Sequence, residues 1–190
     1  MAFVELIDDE EFAAADREVF GFTPNLNRLF ARRPVAYAAW KQLNGSIKET
    51  MDLRRYELAT VAAAGELRSS YCSLAHGKFL TDLFHTADEV AGLAGAAGPS
   101  DEVDAALVEF ARKVATDPSR VERADLDRLR DLGLDDHDLF RVVAAVGARC
   151  FFATVLDGLG AEPDAQLGAL PEPMRQTLTV GRPVAAEPSA

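Results

Sequence analysis

The stretch that decides the fold is Asp52-Leu53-Arg54-Arg55-Tyr56-Glu57-Leu58-Ala59-Thr60-Val61-Ala62-Ala63-Ala64-Gly65, followed after a short break by Ser69-Ser70-Tyr71-Cys72-Ser73-Leu74-Ala75-His76-Gly77-Lys78-Phe79-Leu80. Asp52 has a side chain suited to capping a helix, and Leu58, Val61 and Ala62 recur at the spacing of one helical face. Residues 65–69 read as a turn, and Ser69 or Ser70 can cap a second helix running to about His85. Two helices joined this closely fold back on each other, so positions symmetric about the turn lie at the same level. The midpoint of 57 and 76 falls between Glu66 and Leu67, inside the turn, which sets Glu57 opposite His76. Cys72 and His76 are spaced i, i+4 and share a face of the second helix, with Cβ atoms about 5–6 Å apart.

The rest of the chain has the same helical character. Asp8 or Asp9 can cap a helix ending at Phe20, and Pro24 and Pro34 open segments ending near Arg33 and Lys48. In the second of these, Tyr37, Trp40 and Leu43 recur at helical spacing and read as core. Thr86-Ala87-Asp88-Glu89 has the form of a capping box. Further helices are expected over 100–116, 120–132 and 139–156, the last begun by Asp135 or Asp136. Strand signals are missing from all long segments. Five of the nine prolines, Pro163, Pro171, Pro173, Pro183 and Pro188, come after residue 160. The expectation is one all-α domain over 1–160 and a Pro-rich C-terminal tail over 161–190. The tail is expected to hold one short helix around 174–178 and to pack on the domain or on a neighbouring subunit.

Composition narrows the function. The 190 residues are 48% hydrophobic with a net charge of −11, which suits a soluble globular domain and argues against nucleic-acid or anionic-membrane partners. Only Cys72 and Cys150 are present, too few for a disulfide scaffold. The N-terminus has no basic segment before an apolar one, and the apolar run after Arg141 is interrupted by Arg149, so no signal peptide or membrane span is expected. The expected compartment is the reducing cytoplasm. His76, His85 and His137 are too scattered for a metal site, and no cofactor is expected.

Chemistry concentrates at Glu57, Cys72 and His76. A cysteine in the first turn of a helix meets the positive end of the helix dipole, and a nearby imidazolium also favours its thiolate, the species that attacks a peroxide or a disulfide. A carboxylate orienting a histidine that serves a cysteine is a nucleophile, base and orienter set. Ser69 reads as the cap of that helix. Tyr71 joins Trp40, Tyr56 and Phe79 as candidate pocket lining. Each residue also has a plain structural reading: Cys72 as a small buried hydrophobe, His76 as a core histidine, Glu57 as a solvated partner of Arg54 or Arg55. Cys150 lies on an apolar helix face and reads as core, His85 sits at a helix end, and His137 reads as a solvated first-turn residue.

Arg55-Tyr56-Glu57-Leu58 together with Ser69-Ser70-Tyr71-Cys72-Ser73-Leu74-Ala75-His76 resembles the active-site stretch of the alkylhydroperoxidase D-like, or carboxymuconolactone decarboxylase, superfamily. Glu57 matches the acid, Cys72 the second and peroxide-attacking cysteine of a C-x-x-C pair, and His76 the histidine. Ser69 stands where the family has the first cysteine. Weaker likeness runs from about 25 to 160, and Leu178-Thr179-Val180-Gly181-Arg182-Pro183 is similar to the ending of the longer peroxidase-related members. The resemblance implies an all-helical alkylhydroperoxidase D-like fold whose central hairpin carries the site. It also implies a homo-oligomer (dimer, trimer or hexamer) with the site near a subunit interface. In the family's peroxidases a thiolate becomes a sulfenic acid and then a disulfide, a step Ser69 cannot complete. The expected activity is therefore a one-cysteine hydroperoxide reductase resolved by an external thiol or disulfide reductant, or by Cys150. The alternatives are a cofactor-free decarboxylase of a small lactone acid, using His76 and Glu57 for proton transfer, and a non-enzymatic thiol sensor.

Overall fold

Along the chain the elements are α1 (Glu10–Phe20), α2 (Asn25–Phe30), α3 (Pro34–Lys48), α4 (Leu53–Glu66), α5 (Ser70–Leu83), α6 (Ala87–Ala94), α7 (Glu102–Thr116), α8 (Arg123–Asp131), α9 (Asp136–Gly158) and α10 (Glu172–Leu178), with short 3-10 turns at Pro118–Arg120 and Ala165–Ala169. They come from a computed structural model that describes residues 2–95 and 98–186, and among those residues there is no strand. The tail's Pro188 lies outside the described residues. Among the described residues the architecture is all-α.

The organising element is α4. Asp52 caps it by accepting from the Arg55 backbone N–H at 2.9 Å, and every residue from Tyr56 to Ala64 is buried. A helix apolar on all sides belongs in the middle of a domain. Here Ala59, Ala62, Ala63 and Ala64 keep its surface low, so α5, α7 and α9 pack round it. The expected stripe of Leu58, Val61 and Ala62 is thus only part of the buried surface. Asp104 of α7 ties that helix to α4 through a bidentate pair with Arg54.

The α4–α5 turn is tight. Arg68 adopts a left-handed conformation (φ 55°), and the Ser69 N–H returns to the Ala64 carbonyl at 2.9 Å. A non-glycine residue in that region is held there by its surroundings. The C-terminal strap supplies them: the Gly181 N–H donates to Ser70 Oγ at 2.7 Å and Arg68 Nε to the Val180 carbonyl at 3.3 Å. A Cβ on Gly181 would overlap the Arg68 carbonyl oxygen. The strap also carries α10, whose Met174 and Leu178 are fully buried in the main core. Leu178 sits over Gly77 of α5, in space a side chain there would fill.

Leu43 is not core but 53% exposed, because α3 packs against α2 and α9 along one edge, the edge of Tyr37 and Trp40. α9, begun by the Asp135 capping box, is long and apolar enough to cross a membrane by length and composition. It is packed as a core helix, burying Leu139, Val142, Val146, Arg149, Phe152 and Leu156.

Candidate functional site

The hairpin register brings Glu57 and His76 into contact, with His76 Nδ1 2.5 Å from Glu57 Oε2. Glu57 is only 1% exposed, and its other oxygen is 3.4 Å from Lys48 Nζ of α3. Burial alone would raise its carboxyl, but His76 and Lys48 outweigh burial and hold it below the ordinary glutamate value. His76 is likewise held below its ordinary value, first by burial, then by the Arg149 guanidinium, with Glu57 opposing. At neutral pH the carboxylate is ionised and the imidazole neutral. A hydrogen bond between them needs a proton on Nδ1, which leaves the Nε2 lone pair as the free acceptor. Tyr56 and Phe79 meet the His76 ring edge-on at 6.2 and 5.8 Å.

Cys72 is the third residue of α5 and is 1% exposed. It lines, with His76, a half-open cavity of about 310 Å³. Its sulfur accepts a hydrogen bond from Arg149 Nη1 of α9 at 3.5 Å. Among the described residues no hydrogen bond joins Cys72 to His76. The structure therefore gathers two pairs around one cavity, Glu57 with His76 and Cys72 with Arg149, where the sequence reading drew a single line of three. The difference arises because α9 delivers a guanidinium to the sulfur.

Arg149 is the residue that sequence reasoning passed over. It is 2% exposed, its Nε has no partner, and among the described residues no carboxylate lies within ion-pair distance of it. Its Cζ stands 5.7 Å over the Trp40 ring and 5.5 Å over that of Phe152, and Tyr56 lies against the same guanidinium. Burial works against its charge, while Cys72 and Tyr56 hold it above the ordinary arginine value.

The other expected residues hold supporting places. Ser69 occupies the cap position of α5, but its side chain makes no cap bond; the strap at Ser70 anchors that end instead. The Tyr71 hydroxyl donates to Asp164 and accepts from the Leu26 backbone N–H at 3.1 Å, tying α5 to α2 and the tail. Tyr71, Trp40, Tyr56 and Phe79 all line the cavity. Trp40 stacks on Phe152 at 4.0 Å between centroids, and its indole N–H donates to the Ala148 carbonyl at 3.1 Å.

Cys150 packs with the main core, whereas Cys72 belongs to the smaller cluster of Phe30, Tyr37 and Phe152. Burial pushes the Cys150 thiol up. His85 accepts from Arg54 at the end of α5, and His137 lies in the first turn of α9. Among the described residues no group of three or more His, Cys, Asp or Glu is placed to hold a metal ion.

No protein-family model matches the chain, and no curated protein matches it. Solved structures do. The chain is similar to the alkylhydroperoxidase AhpD core of an uncharacterized peroxidase-related protein from Ralstonia eutropha JMP134, at 21% identity over 85% of this chain and 88% of that one, with a TM-score of 0.76. An uncharacterized peroxidase-related protein from Silicibacter sp. TM1040 superposes with a TM-score of 0.77 at 20% identity, covering 88% and 91%. The debrominase Bmp8, in complex with 2,3,4-tribromopyrrole, superposes at 0.70 with 14% identity, covering 92% and 95%. At these identities the likeness establishes the fold.

Proposed function

We propose that this alkylhydroperoxidase D-like chain reduces a small organic electrophile at Cys72, a hydroperoxide in the first place, through a one-cysteine cycle. The observation that carries the reading is the meeting, at one aromatic-walled cavity, of a sulfur, a guanidinium 3.5 Å from it, and a neutral imidazole oriented by a buried carboxylate. Acting through Nε2, His76 takes up a proton from water and holds it for the leaving group. The Cys72 thiolate attacks the outer peroxide oxygen; the S–O bond forms, the O–O bond breaks, and the leaving alkoxide takes the proton from His76. Sulfur is oxidised to sulfenic acid and the peroxide is reduced to an alcohol and that sulfur-bound hydroxyl.

Ser69 supplies no second thiol, so an external thiol attacks the sulfenic sulfur, water leaves, and a second external thiol releases Cys72 as a disulfide forms between the two. A reducing compartment provides such thiols. The cavity volume is far larger than hydrogen peroxide needs, which favours bulky organic hydroperoxides.

The similarity in fold to a debrominase and the aromatic wall of the cavity support a second substrate class, a halogenated aromatic ring. There the thiolate takes the halogen, the ring carbon takes a proton, and an external thiol then displaces halide from the sulfur. Cumene hydroperoxide and a bromopyrrole, each with a small thiol reductant, separate the two. Wild type should consume one of them, Cys72→Ser neither, and dimedone should trap the sulfenic acid at Cys72 after peroxide. Consumption of either substrate unchanged in Cys72→Ser would overturn the proposal. Oxidation of Cys72 without turnover would make it a sensor.

A further inference from the structure

We infer that Arg149 is the positioning residue that keeps the Cys72 sulfur anionic, as a buried ion pair in the cavity wall, and that it does so independently of the Glu57–His76 pair. This rests on Cys72 being the nucleophile of the proposed cycle, though not on which electrophile is reduced.

An arginine cannot shed its proton in a protein, and a guanidinium withdrawn from water without an anion is costly. The acidic groups near the cavity are committed elsewhere. Glu57 holds His76 and Lys48. Asp16 accepts from Asn27 at 2.6 Å, Tyr37 at 2.9 Å and Lys41 at 3.0 Å. Asp164 pairs with Tyr71. The groups facing the Arg149–Cys72 contact are then Tyr56 from α4, Tyr71 and His76 from α5, and the Trp40 and Phe152 rings. The rings offer cation–π attraction but no countercharge. The Tyr56 hydroxyl spends its proton on Asn44 Oδ1 at 2.6 Å, and a phenol ionises less readily than a thiol. That leaves the Cys72 sulfur as the anion. The unpaired Nε–H offers a further donor for the oxygen that sulfur acquires on oxidation, which suits a cycle where the sulfenic acid waits for an external thiol.

The test is alkylation of Cys72 by iodoacetamide, read site by site by mass spectrometry so that Cys150 is scored separately. A free thiol is only a few per cent ionised at pH 7, so Arg149→Met should slow Cys72 alkylation at pH 7 by about tenfold or more, with the gap closing at alkaline pH. Arg149→Lys, which keeps the charge, should stay within about threefold of wild type, and so should His76→Asn.

An unchanged rate in folded Arg149→Met, or equal slowing in the Lys and Met variants, overturns the inference. So does a rate in His76→Asn as low as in Arg149→Met. Should Arg149→Met fail to fold, wild type decides alone: its thiolate absorbance at pH 7 must exceed that of Cys72→Ser, and equality refutes the ion pair. Absence of turnover with every electrophile, while Arg149→Met still slows alkylation, removes the proposed activity and leaves the ion pair standing.

Discussion

Glu57→Gln separates the two pairs at the cavity. The substitution keeps the shape of the side chain and removes its charge from a site 2.5 Å from His76 Nδ1. When His76 carries the proton bound for the leaving group, its charge centre stands about 4 Å from that of the carboxylate, worth about 4 kcal/mol at an effective dielectric near 20. A glutamine oxygen still accepts the Nδ1–H, retaining about 1 kcal/mol as a neutral hydrogen bond. The remainder, about 3 kcal/mol, corresponds to a loss of about a hundredfold in turnover. The fold should tolerate the change, because Lys48, the other partner, is partly exposed and reaches water. Steady-state reduction of cumene hydroperoxide by a small thiol measures the turnover, and alkylation of Cys72 measures the sulfur. Turnover should fall about a hundredfold while alkylation stays within about threefold. Turnover within threefold of wild type would refute the role of the carboxylate, and a parallel fall in both would show that sulfur and imidazole form one relay after all.

Stability should depend on pH through the same pair. Because folded His76 resists protonation, the unfolded chain takes up a proton that the native one refuses as the pH falls below the ordinary histidine value of 6.5, so stability is lost toward acid. Glu57, held low, adds a loss in the same direction below its ordinary value of 4.5. Urea unfolding at pH 7.5 and 5.5 should show about 1 kcal/mol of acid destabilisation in wild type that His76→Gln lacks, and identical slopes in the two proteins would contradict the assignment. At the strap, Gly181→Ala drives a Cβ into the Arg68 carbonyl, at a cost of about 1–3 kcal/mol and about 2–4 °C of melting temperature for each. Gly147→Ala on α9, whose added Cβ meets nothing within 4 Å, should be neutral or mildly stabilising. Equal melting of the two variants would refute the close approach.

The parts of this molecule that rest on local rules are legible in the chain, and the parts that rest on distant contacts are not. The Asp52 cap and the turn before Ser69 are local, and together they set the register that joins Glu57 to His76. The burial of α4 on every side is not local, since alanines give no directional pattern and only the three neighbouring helices show that each face is covered. Leu43 fails for the complementary reason: periodicity marks an apolar face without saying that a partner stops short of it. The short helix expected around 174–178 is present, but nothing near it announces that Gly77, about a hundred residues earlier, leaves room for Leu178.

Arg149 is the instructive case because its signal was present. A single charged residue within the apolar face of a core helix, three residues before Phe152, is expensive to bury and therefore needs a compensating partner. Read as a break in hydrophobicity, it argues only against a membrane span. Read as a charge that folding must place among Val146, Phe152 and the other buried residues of α9, it calls for an anion in the core, and the chain has few to offer there. Glu57 is one, and its geometry assigns it to His76. A thiol is the remaining group that can become an anion without adding a carboxylate to the interior. On the inferred Arg149–Cys72 pair, the requirement that a buried cation be balanced links residue 149 to residue 72 across the domain.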